Sequence, residues 1–362
     1  MPTPIKMLGF ETRSAWNAGT SLSKNPNNIV NPDLVTGSQG GTSVALRLQS
    51  RSADDSTNGD GLNVDWDLES NLTHFIAHIR FNSTGISTRD QSLNSESWLI
   101  ALRNSSNTIQ YAVHLEPDGT LRGTTDTDGD PSTYDGSGTI VEIVDGNWYT
   151  MELEVITGGS GKIHCKINGL TMFEHSITTL DATGLSKIAM CSGFDSAETV
   201  NGACTTLFDD LFVYTPDSTG GFLGGYNIYE SMPTSDATAS AWTKSSDGSA
   251  GNIYTMIDET TEGSDGDTTY GTTETVGAKA LFNLTYPKAL EGDIRQIEYE
   301  NTIRHETAEK NWVPHRVTDG TAIDDGTSLV TSASYQTNKQ IVNVNIPNAD
   351  ANGTVFGIRR LD

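Results

Sequence analysis

Apolar and polar residues alternate with a period of two in the stretch from Asp145 to Ser176. In residues 149–155 every second position is apolar, and residues 162–167 repeat the pattern. Such alternation is typical of strands with one buried face and one solvated face. The glycines within 157–161 and the Asn168-Gly169 pair supply the positive φ angles that reversing turns need. The stretch therefore predicts two successive β-hairpins.

Short strand-like segments recur along the chain and are separated by clusters of Gly, Asn, Asp and Ser. No segment of ten or more residues has a convincing apolar period of 3.6, which argues against long helices. Many short strands without helices between them predict an all-β sandwich. In the first part of the chain the predicted strands are Ser43–Leu48, Thr73–Phe81, Trp98–Leu102, Ile109–Leu115, Thr139–Val144, Lys187–Cys191 and Thr206–Tyr214.

The length of 362 residues is enough for about two domains, and a Pro/Ser/Gly-rich segment suggests where they join. We expect a first domain at 1–215, a linker at 216–221 and a second, smaller β-sandwich domain at 222–362. The strands predicted in the second domain are Ala278–Leu284, Ile294–Glu300, Val313–Thr318, Ser334–Thr337 and Gly353–Arg359.

The chain is strongly acidic, since 22 Lys and Arg stand against 47 Asp and Glu for a formal net charge of −25. Nucleic acid and anionic membranes bind clustered Lys and Arg, so neither is an expected partner. The N-terminal segment lacks the apolar stretch of a signal peptide, and no apolar run has the length of a membrane span. We therefore expect neither signal-peptide export nor membrane insertion.

Three cysteines, Cys165, Cys191 and Cys204, are an odd number in a large chain, which does not favour a disulfide framework. Cys165 alternates with Ile163 and Ile167, so we expect its thiol to be buried and unreactive. Cys191 and Cys204 flank a loop, and the sequence leaves open whether they form a disulfide.

Asp126, Asp128 and Asp130 are the candidate metal ligands, for calcium. Carboxylates at alternate positions of a Gly-containing loop can converge on Ca²⁺. Pro131 stands where an EF-hand loop needs its glycine, and no Glu follows at the twelfth position. The alternative is a solvated acidic loop that binds nothing.

Asp65, Asp67 and Glu69 form the best catalytic candidate, because on a strand the three carboxylates share one face. Some jelly-roll glycoside hydrolases carry acidic residues at this spacing. A retaining mechanism needs carboxyl groups about 5–5.5 Å apart, whereas strand positions i and i+4 are about 13 Å apart. The segment precedes the first long predicted strand, so we expect an acidic sheet edge and no catalytic residues.

Other polar and aromatic residues are weaker candidates. On a predicted strand His74 and His78 lie about 13 Å apart, too far to share a metal ion. The Asp209-Asp210 pair closes a strand-rich region. Alternation predicts that Asp210 shares a face with Phe208 while Asp209 faces the other way, and one carboxylate is expected to accept backbone hydrogen bonds. Exposed aromatic side chains can bind sugars, and the candidates are Trp98, Tyr134 and Trp148, each of which can equally be core packing.

The hairpins resemble those of laminin-G-like and concanavalin-like jelly rolls, with a Trp148-Tyr149 entry and an Ile167-Asn168-Gly169 turn. The whole chain resembles structural proteins of tailed-bacteriophage virions through the order of several short segments. These segments are Gly9-Phe10-Glu11, Gly40-Gly41, Ala45–Leu48, Phe208–Val213, Phe222-Leu223-Gly224, Ala241-Trp242-Thr243, Ile257-Asp258-Glu259, Asp265–Tyr270, Gly277-Ala278-Lys279 and Phe356-Gly357-Ile358.

The resemblance implies a concanavalin/laminin-G-like jelly-roll domain followed by a small β-domain. It implies a non-enzymatic virion component of the peripheral tail (tip, baseplate or fibre). A lectin-like domain would contact host-surface glycan or other virion proteins. The first alternative is a capsid decoration protein, and the second is a glycan-binding or glycan-hydrolysing jelly-roll protein. The expected location is the virion, and the expected assembly is a homo-oligomer, by analogy a trimer. The resemblance identifies no ligand-binding residue.

Overall fold

The structure is a computed structural model of the chain. It describes residues 3–8, 22–24, 33–36, 44–49, 62–85, 98–116, 118–125, 141–192, 205–216, 221–224, 228, 231, 233–239, 241–256, 270–284, 293–305, 308–334 and 336–362. The chain divides into two compact units, Met1–Ile228 and Tyr229–Asp362. Each unit is described by itself below. No helix in these ranges is long and apolar enough to cross a membrane.

The described part of the first unit is built from strands only. In chain order they are β1 (Thr3–Leu8), β2 (Leu22–Lys24), β3 (Asp33–Thr36), β4 (Val44–Gln49), β5 (Leu62–Leu72), β6 (His74–Thr84), β7 (Trp98–Arg103), β8 (Ile109–Leu115), β9 (Leu121–Thr124), β10 (Trp148–Ile156), β11 (Lys162–Ile167), β12 (Leu170–Ser176), β13 (Leu185–Ser192) and β14 (Thr205–Thr215).

These strands form two antiparallel sheets, which confirms the all-β fold predicted from the sequence. Sheet A has eight strands in the order β12-β11-β10-β6-β14-β4-β3, with β1 also paired to β14. Sheet B has six strands in the order β2-β5-β13-β7-β8-β9. A single large apolar cluster lies between the sheets and includes the fully buried side chains of Trp66, Phe75, Phe81, Tyr111 and Phe208.

The two predicted hairpins are confirmed. β10 pairs with β11 and β11 with β12, and the Asn168-Gly169 turn has φ angles of 49° and 82°. Left-handed values at both central positions are what a tight primed hairpin turn requires. Leu153 lies opposite Cys165 in the core, so the predicted buried face of β11 is also confirmed.

One predicted strand is wrong where the structure describes it. Residues 141–144, from the predicted Thr139–Val144 strand, have no strand conformation. Their backbone is bound in other ways, since the Tyr149 hydroxyl accepts the N–H of Val144 and the N–H of Ile143 donates to Gly119. Val141 and Ile143 pack against the sandwich core without joining a ladder, whereas Val144 is exposed.

The second unit contains ten further strands among its described residues, together with a 3₁₀ helix, Ile253–Met256, and a short α-helix, Asn348–Ala351. The strands are β15 (Pro233–Thr238), β16 (Thr243–Lys244), β17 (Gly271–Thr272), β18 (Lys279–Leu284), β19 (Ile294–Ile303), β20 (Asn311–Thr318), β21 (Thr321–Asp324), β22 (Leu329–Val330), β23 (Gln336–Ile346) and β24 (Val355–Arg360).

Sheet C of the second unit has the order β15-β18-β24-β20-β21, with β22 also paired to β20. A separate two-stranded ribbon pairs β19 with β23, and β16 pairs with β17. Two apolar clusters pack this unit. One contains Trp242 and Trp312, whose rings are 5.3 Å apart, and the other contains Tyr299 and Phe356.

Candidate functional site

The outer face of sheet B carries the most distinctive group of polar side chains in the first unit. On β5 the side chains of Val64, Trp66 and Leu68 point into the core. Because side chains alternate along a strand, Asp65 and Asp67 lie on the opposite, outer face. Glu69 belongs to the same strand, and its side chain lies outside the described part of the structure.

The strand order places basic residues beside these carboxylates. β13 lies next to β5, with Lys187 opposite Asp67, and β7 lies next to β13, with Arg103 opposite Lys187. Asp67, Lys187 and Arg103 therefore form one row across three strands. Asp65 belongs to the neighbouring row, where it lies opposite Ala189.

Asp65 lies within ion-pair range of both cations. Its Oδ1 is 3.7 Å from Arg103 Nε, and its Oδ2 is 3.9 Å from Lys187 Nζ. The Lys187 ammonium donates to Asn107 Oδ1 at 3.3 Å, and Asn107 has the left-handed φ of 64°. The side chains of Asp65 and Arg103 are only 13% and 11% exposed. This low exposure weakens solvent screening of the pair.

A small apolar patch adjoins the charged groups and is separate from the main core. Ala189, Ala101 and Ala112 lie opposite one another on three adjacent strands and form a floor of short side chains. Trp98 and Cys191 belong to the same cluster, and all five residues are buried. The Trp98 ring makes an edge contact with His114 at 6.1 Å.

Three buried polar atoms around this patch have no hydrogen-bond partner in the described part of the chain. They are the acceptor Asp65 Oδ1 and the donors Arg103 Nε and Trp98 Nε1. Buried polar groups in native proteins are almost always satisfied, so each such atom requires an explanation. Their position on one sheet face, around one apolar patch, is consistent with a polar ligand that both donates and accepts hydrogen bonds.

The expectation that β5 forms a sheet edge is wrong. β5 pairs with β2 on one side and with β13 on the other, and Asp65 itself has Ser23 and Ala189 as neighbours. The edge was expected because this segment precedes the first long predicted strand. In the fold, β13 from much later in the chain supplies the missing neighbour.

The remaining sequence candidates are dispersed. Asp126, Asp128, Asp130 and Tyr134 lie outside the described residues. Within the described ranges, no group of three or more His, Cys, Asp or Glu side chains has a metal-binding arrangement. Trp98 belongs to the patch on sheet B, whereas Trp148 is partly buried under the Arg80 guanidinium on sheet A.

The two histidines of β6 have different environments. His74 Nε2 lies 3.1 Å from Glu154 Oε1 near the surface, whereas His78 is fully buried. Neither approaches the outer face of sheet B, because β6 belongs to sheet A.

The predicted facing of Asp209 and Asp210 is wrong, whereas their predicted structural role is confirmed. The ladder between β14 and β6 is irregular between Asp209 and Phe212, and Asp210 has a φ of 50°. This bulge turns Asp210 away from the face of Phe208, and its carboxylate binds Arg80 and a backbone N–H.

Arg103 and Lys187 were not identified as candidate functional residues from the sequence. Each stands next to or within an apolar strand and matches no motif by itself. Only the β5-β13-β7 strand order brings them to Asp65. The one local signal that could have pointed to Lys187 is its charged side chain within the mostly apolar strand β13.

No protein-family model and no curated protein matches the chain. Several solved structures are similar to it. A carbohydrate esterase from the Shiga toxin-encoding bacteriophage phi24B is 12% identical with a TM-score of 0.42, covering 60% of this chain and 100% of the esterase. Cip1, a cellulose induced protein, is 10% identical with a TM-score of 0.42 over 59% of this chain and 100% of Cip1. A sialidase is 12% identical with a TM-score of 0.40 over 59% of this chain, and the match spans only 19% of the sialidase.

At these identities the likeness concerns the fold alone, a jelly-roll-like β-sandwich. It does not extend to a laminin-G domain or a virion protein in particular. The expectation of a chain that is not an enzyme is nevertheless corrected, because a glucuronan lyase, an alginate lyase, the sialidase and the esterase are among the similar structures. The similar structures are β-sandwich proteins that bind or process glycans.

Proposed function

We propose that the first unit recognises a glycan on the outer face of sheet B. The observation that carries this proposal is the set of three buried polar atoms, on Asp65, Arg103 and Trp98, that surround an apolar patch without partners in the described chain. Ligand sites typically combine a mostly apolar surface with a few converging polar groups.

A sugar matches this combination chemically. Each hydroxyl both donates and accepts, so one glycan can donate to Asp65 Oδ1 and accept from Arg103 Nε and Trp98 Nε1. The C–H face of a sugar ring is apolar and packs on surfaces such as an aromatic ring. The alanines at 101, 112 and 189 supply only short, buried side chains beneath this patch, so its polar contacts come from the surrounding Asp65, Arg103 and Trp98.

Glycan processing is the second candidate function, and the placement of Asp65 and Asp67 favours it. The two carboxylates share one face of an interior strand and have cationic neighbours. Carboxylates serve as acids, bases and nucleophiles in glycosidases, and cationic groups stabilise developing negative charge. A binding assay and a turnover assay are therefore needed on the same protein.

The biological setting of this unit is part of the proposal. The order of phage-like sequence segments supports a place in a tailed-phage virion, at the tail or on the capsid. There the glycan would belong to the host surface, and the other partners would be virion proteins. A homo-oligomer would present several copies of the site, and several weak sites acting together bind a surface more tightly than one.

The test is a glycan array with the whole chain, followed by calorimetry on the best oligosaccharide. We expect Asp65→Asn and Arg103→Met to weaken binding at least tenfold. Glu174→Gln changes an exposed carboxylate on sheet A and serves as the matched control with unchanged affinity. Thermal melts confirm that each variant is folded. Equal affinity of all three variants, or no glycan retained by the wild type, would overturn the proposal.

Turnover is measured in parallel on the glycans that bind. Release of reducing ends reports hydrolysis, ultraviolet absorbance of unsaturated products reports elimination, and free acid reports ester cleavage. Loss of turnover in Asp67→Asn with retained binding would support processing by this face. Turnover unaffected by both Asp65→Asn and Asp67→Asn would place the reaction elsewhere.

A further inference from the structure

Four described residues that follow β14 lie on the outer face of sheet A. These residues, Phe222, Leu223, Gly224 and Ile228, are called the clip below. Glu152 on β10, which is 1% exposed, holds one end of it. Its Oε1 accepts the backbone N–H of Leu223 at 2.9 Å and that of Gly224 at 3.0 Å.

The Tyr214 hydroxyl completes this anchor. It accepts the N–H of Leu223 at 3.1 Å and lies 3.4 Å from Glu152 Oε1, to which it donates. A buried carboxylate that accepts several hydrogen bonds is well satisfied, and hydrogen bonds to charged groups are stronger than neutral ones. The amide of Gly224 therefore binds Glu152, and the amide of Leu223 is shared between Glu152 and the Tyr214 hydroxyl.

A second buried carboxylate holds the other end. Asp210 Oδ1 accepts the N–H of Ile228 at 2.6 Å, and Asp210 Oδ2 accepts from Arg80 Nη1 at 2.7 Å. The bulge in β14 aims this carboxylate outward from the sheet. Both anchors thus use side-chain acceptors on the outer face of sheet A.

Apolar and aromatic contacts add to the two anchors. Phe222 meets the edge of the His164 ring at 4.7 Å, and Lys166 Nζ lies 4.2 Å from the centre of the Phe222 ring. The apolar clip residues pack against a small cluster formed by Ile76, Phe212 and Tyr214, which is separate from the main core.

We propose that the clip is a releasable contact whose closed form is favoured by proton binding at Glu152. Release would expose the acceptors Glu152 and Asp210 on the outer face of sheet A. The proposal is independent of glycan recognition on sheet B, since it concerns the other sheet and other residues.

The direction of the pH effect follows from burial. Burial raises the pKa of Glu152, against the opposing effects of the clip amides, the Tyr214 hydroxyl and the Lys166 ammonium. His78 lies opposite Glu152 on β6, and Lys166 lies opposite it on β11. Release returns the carboxyl to water, where its pKa approaches the ordinary value. The closed form consequently binds the proton more tightly, and closing becomes more favourable as the pH falls through that window.

Protonation weakens the anchor without removing it, because a neutral carboxyl group keeps a carbonyl oxygen that accepts the two amides. Burial also raises the pKa of Asp210, while the neighbouring Arg80 guanidinium opposes that rise. Around this second anchor the charged groups are Arg80 on β6 and Asp209 on β14, with the Trp148 ring over Arg80. The proton effect at Asp210 therefore has the same sign as at Glu152.

The test is amide hydrogen exchange of Leu223, Gly224 and Ile228 in the whole chain between pH 5 and pH 8, corrected for intrinsic exchange. We expect protection to fall as the pH rises, by up to about tenfold for each unit of pKa difference between the closed and released forms. Glu152→Gln keeps the acceptor without the charge, so protection of Leu223 and Gly224 should vary less with pH. Glu142→Gln, at an exposed carboxyl of the same unit, is the matched control and should keep the wild-type slope.

Phe222→Ala tests the contribution of apolar packing to the clip separately from the titration of Glu152. It should lower clip protection at every pH while keeping the slope, because the carboxylate anchors remain. A wild-type protection that does not vary with pH would overturn the proposal. An unchanged slope in Glu152→Gln, or unchanged protection in Phe222→Ala, would do the same.

Discussion

Asp65 Oδ1 and Arg103 Nε lie 3.7 Å apart on the outer face of sheet B, although the strands that carry them are separated by β13. The distance is an ion-pair distance and not a hydrogen-bond distance. Both atoms therefore keep their hydrogen-bonding capacity while the two charges attract each other. A pair of this kind is suited to a ligand that enters between or beside the two groups.

The first prediction concerns the strength of this pair. A double-mutant cycle with Asp65→Asn and Arg103→Met should give a coupling free energy of about 0.5–1 kcal/mol, since the pair lacks a direct hydrogen bond. Urea unfolding of the four proteins measures it. A coupling several times larger would mean that the pair serves the stability of the sheet and not a ligand.

The second prediction concerns the Glu152 anchor. Glu152→Ala leaves the amide of Gly224 without its acceptor and the amide of Leu223 with the Tyr214 hydroxyl alone, and we expect a loss of about 2–3 kcal/mol in the free energy of unfolding. Glu152→Gln keeps an acceptor and should cost less than about 1 kcal/mol. Chemical denaturation compares the two variants, and equal losses would contradict the role of the hydrogen bonds.

The third prediction concerns the end of the first unit. A fragment of residues 1–228 should melt at a higher temperature than a fragment of residues 1–215, because the shorter one exposes Ile76, Phe212 and Tyr214. It also removes the backbone N–H groups of Leu223, Gly224 and Ile228 that the two buried carboxylates accept. Calorimetry of the two fragments decides the point, and identical melting temperatures would show that the clip adds nothing to this unit.

The hairpins of β10, β11 and β12 could be predicted because their information is local. Alternation fixes the buried face, and Asn168-Gly169 fixes the turn. β23 was foreseen only in its first residues, since its strand continues through polar positions such as Asn338 and Lys339 that pair with β19. Its second half does carry an alternating apolar face, Val342, Val344 and Ile346, which packs with Tyr299 and Phe356 and was overlooked.

The candidate site was only half predictable. Asp65 and Asp67 were identified as sharing one strand face, which the structure bears out. Their cationic partners, Arg103 and Lys187, depend on strand order, which a single sequence does not encode in any short pattern. The prediction of which sheet face Asp210 occupies was wrong for a different reason. A single bulge inverts the alternation of side chains for the rest of a strand.

The fourth prediction concerns acid stability of the second unit. The Arg359 guanidinium, which hydrogen-bonds to Asp324, holds the pKa of that carboxyl below its ordinary value, and the hydrogen bond with His315 acts in the same direction. The unfolded chain therefore binds a proton more readily than the folded chain. The stabilisation is complete above the ordinary pKa of aspartate and is lost as the pH falls through the lowered value.

Asp324→Asn should remove this contribution, so the variant should lose stability at neutral pH and show a flatter acid limb. Unfolding curves at several pH values measure both effects. Asp247→Asn is a suitable control. Asp247 is an exposed carboxyl of the same unit, and its pKa is lowered mainly by hydrogen bonds from Ser249. Parallel acid limbs in the wild type and Asp324→Asn would contradict the prediction.

The fifth prediction concerns Cys165, which lies in the main core between the two sheets. Burial raises the pKa of its thiol, so the reactive thiolate is scarce in the folded protein at neutral pH. A thiol reagent should label Cys165 only as fast as the core opens, and peptide mapping by mass spectrometry follows the modification. Denaturant should accelerate labelling in parallel with unfolding. Rapid native labelling would mean that β11 presents the opposite face, which would shift the register of both hairpins.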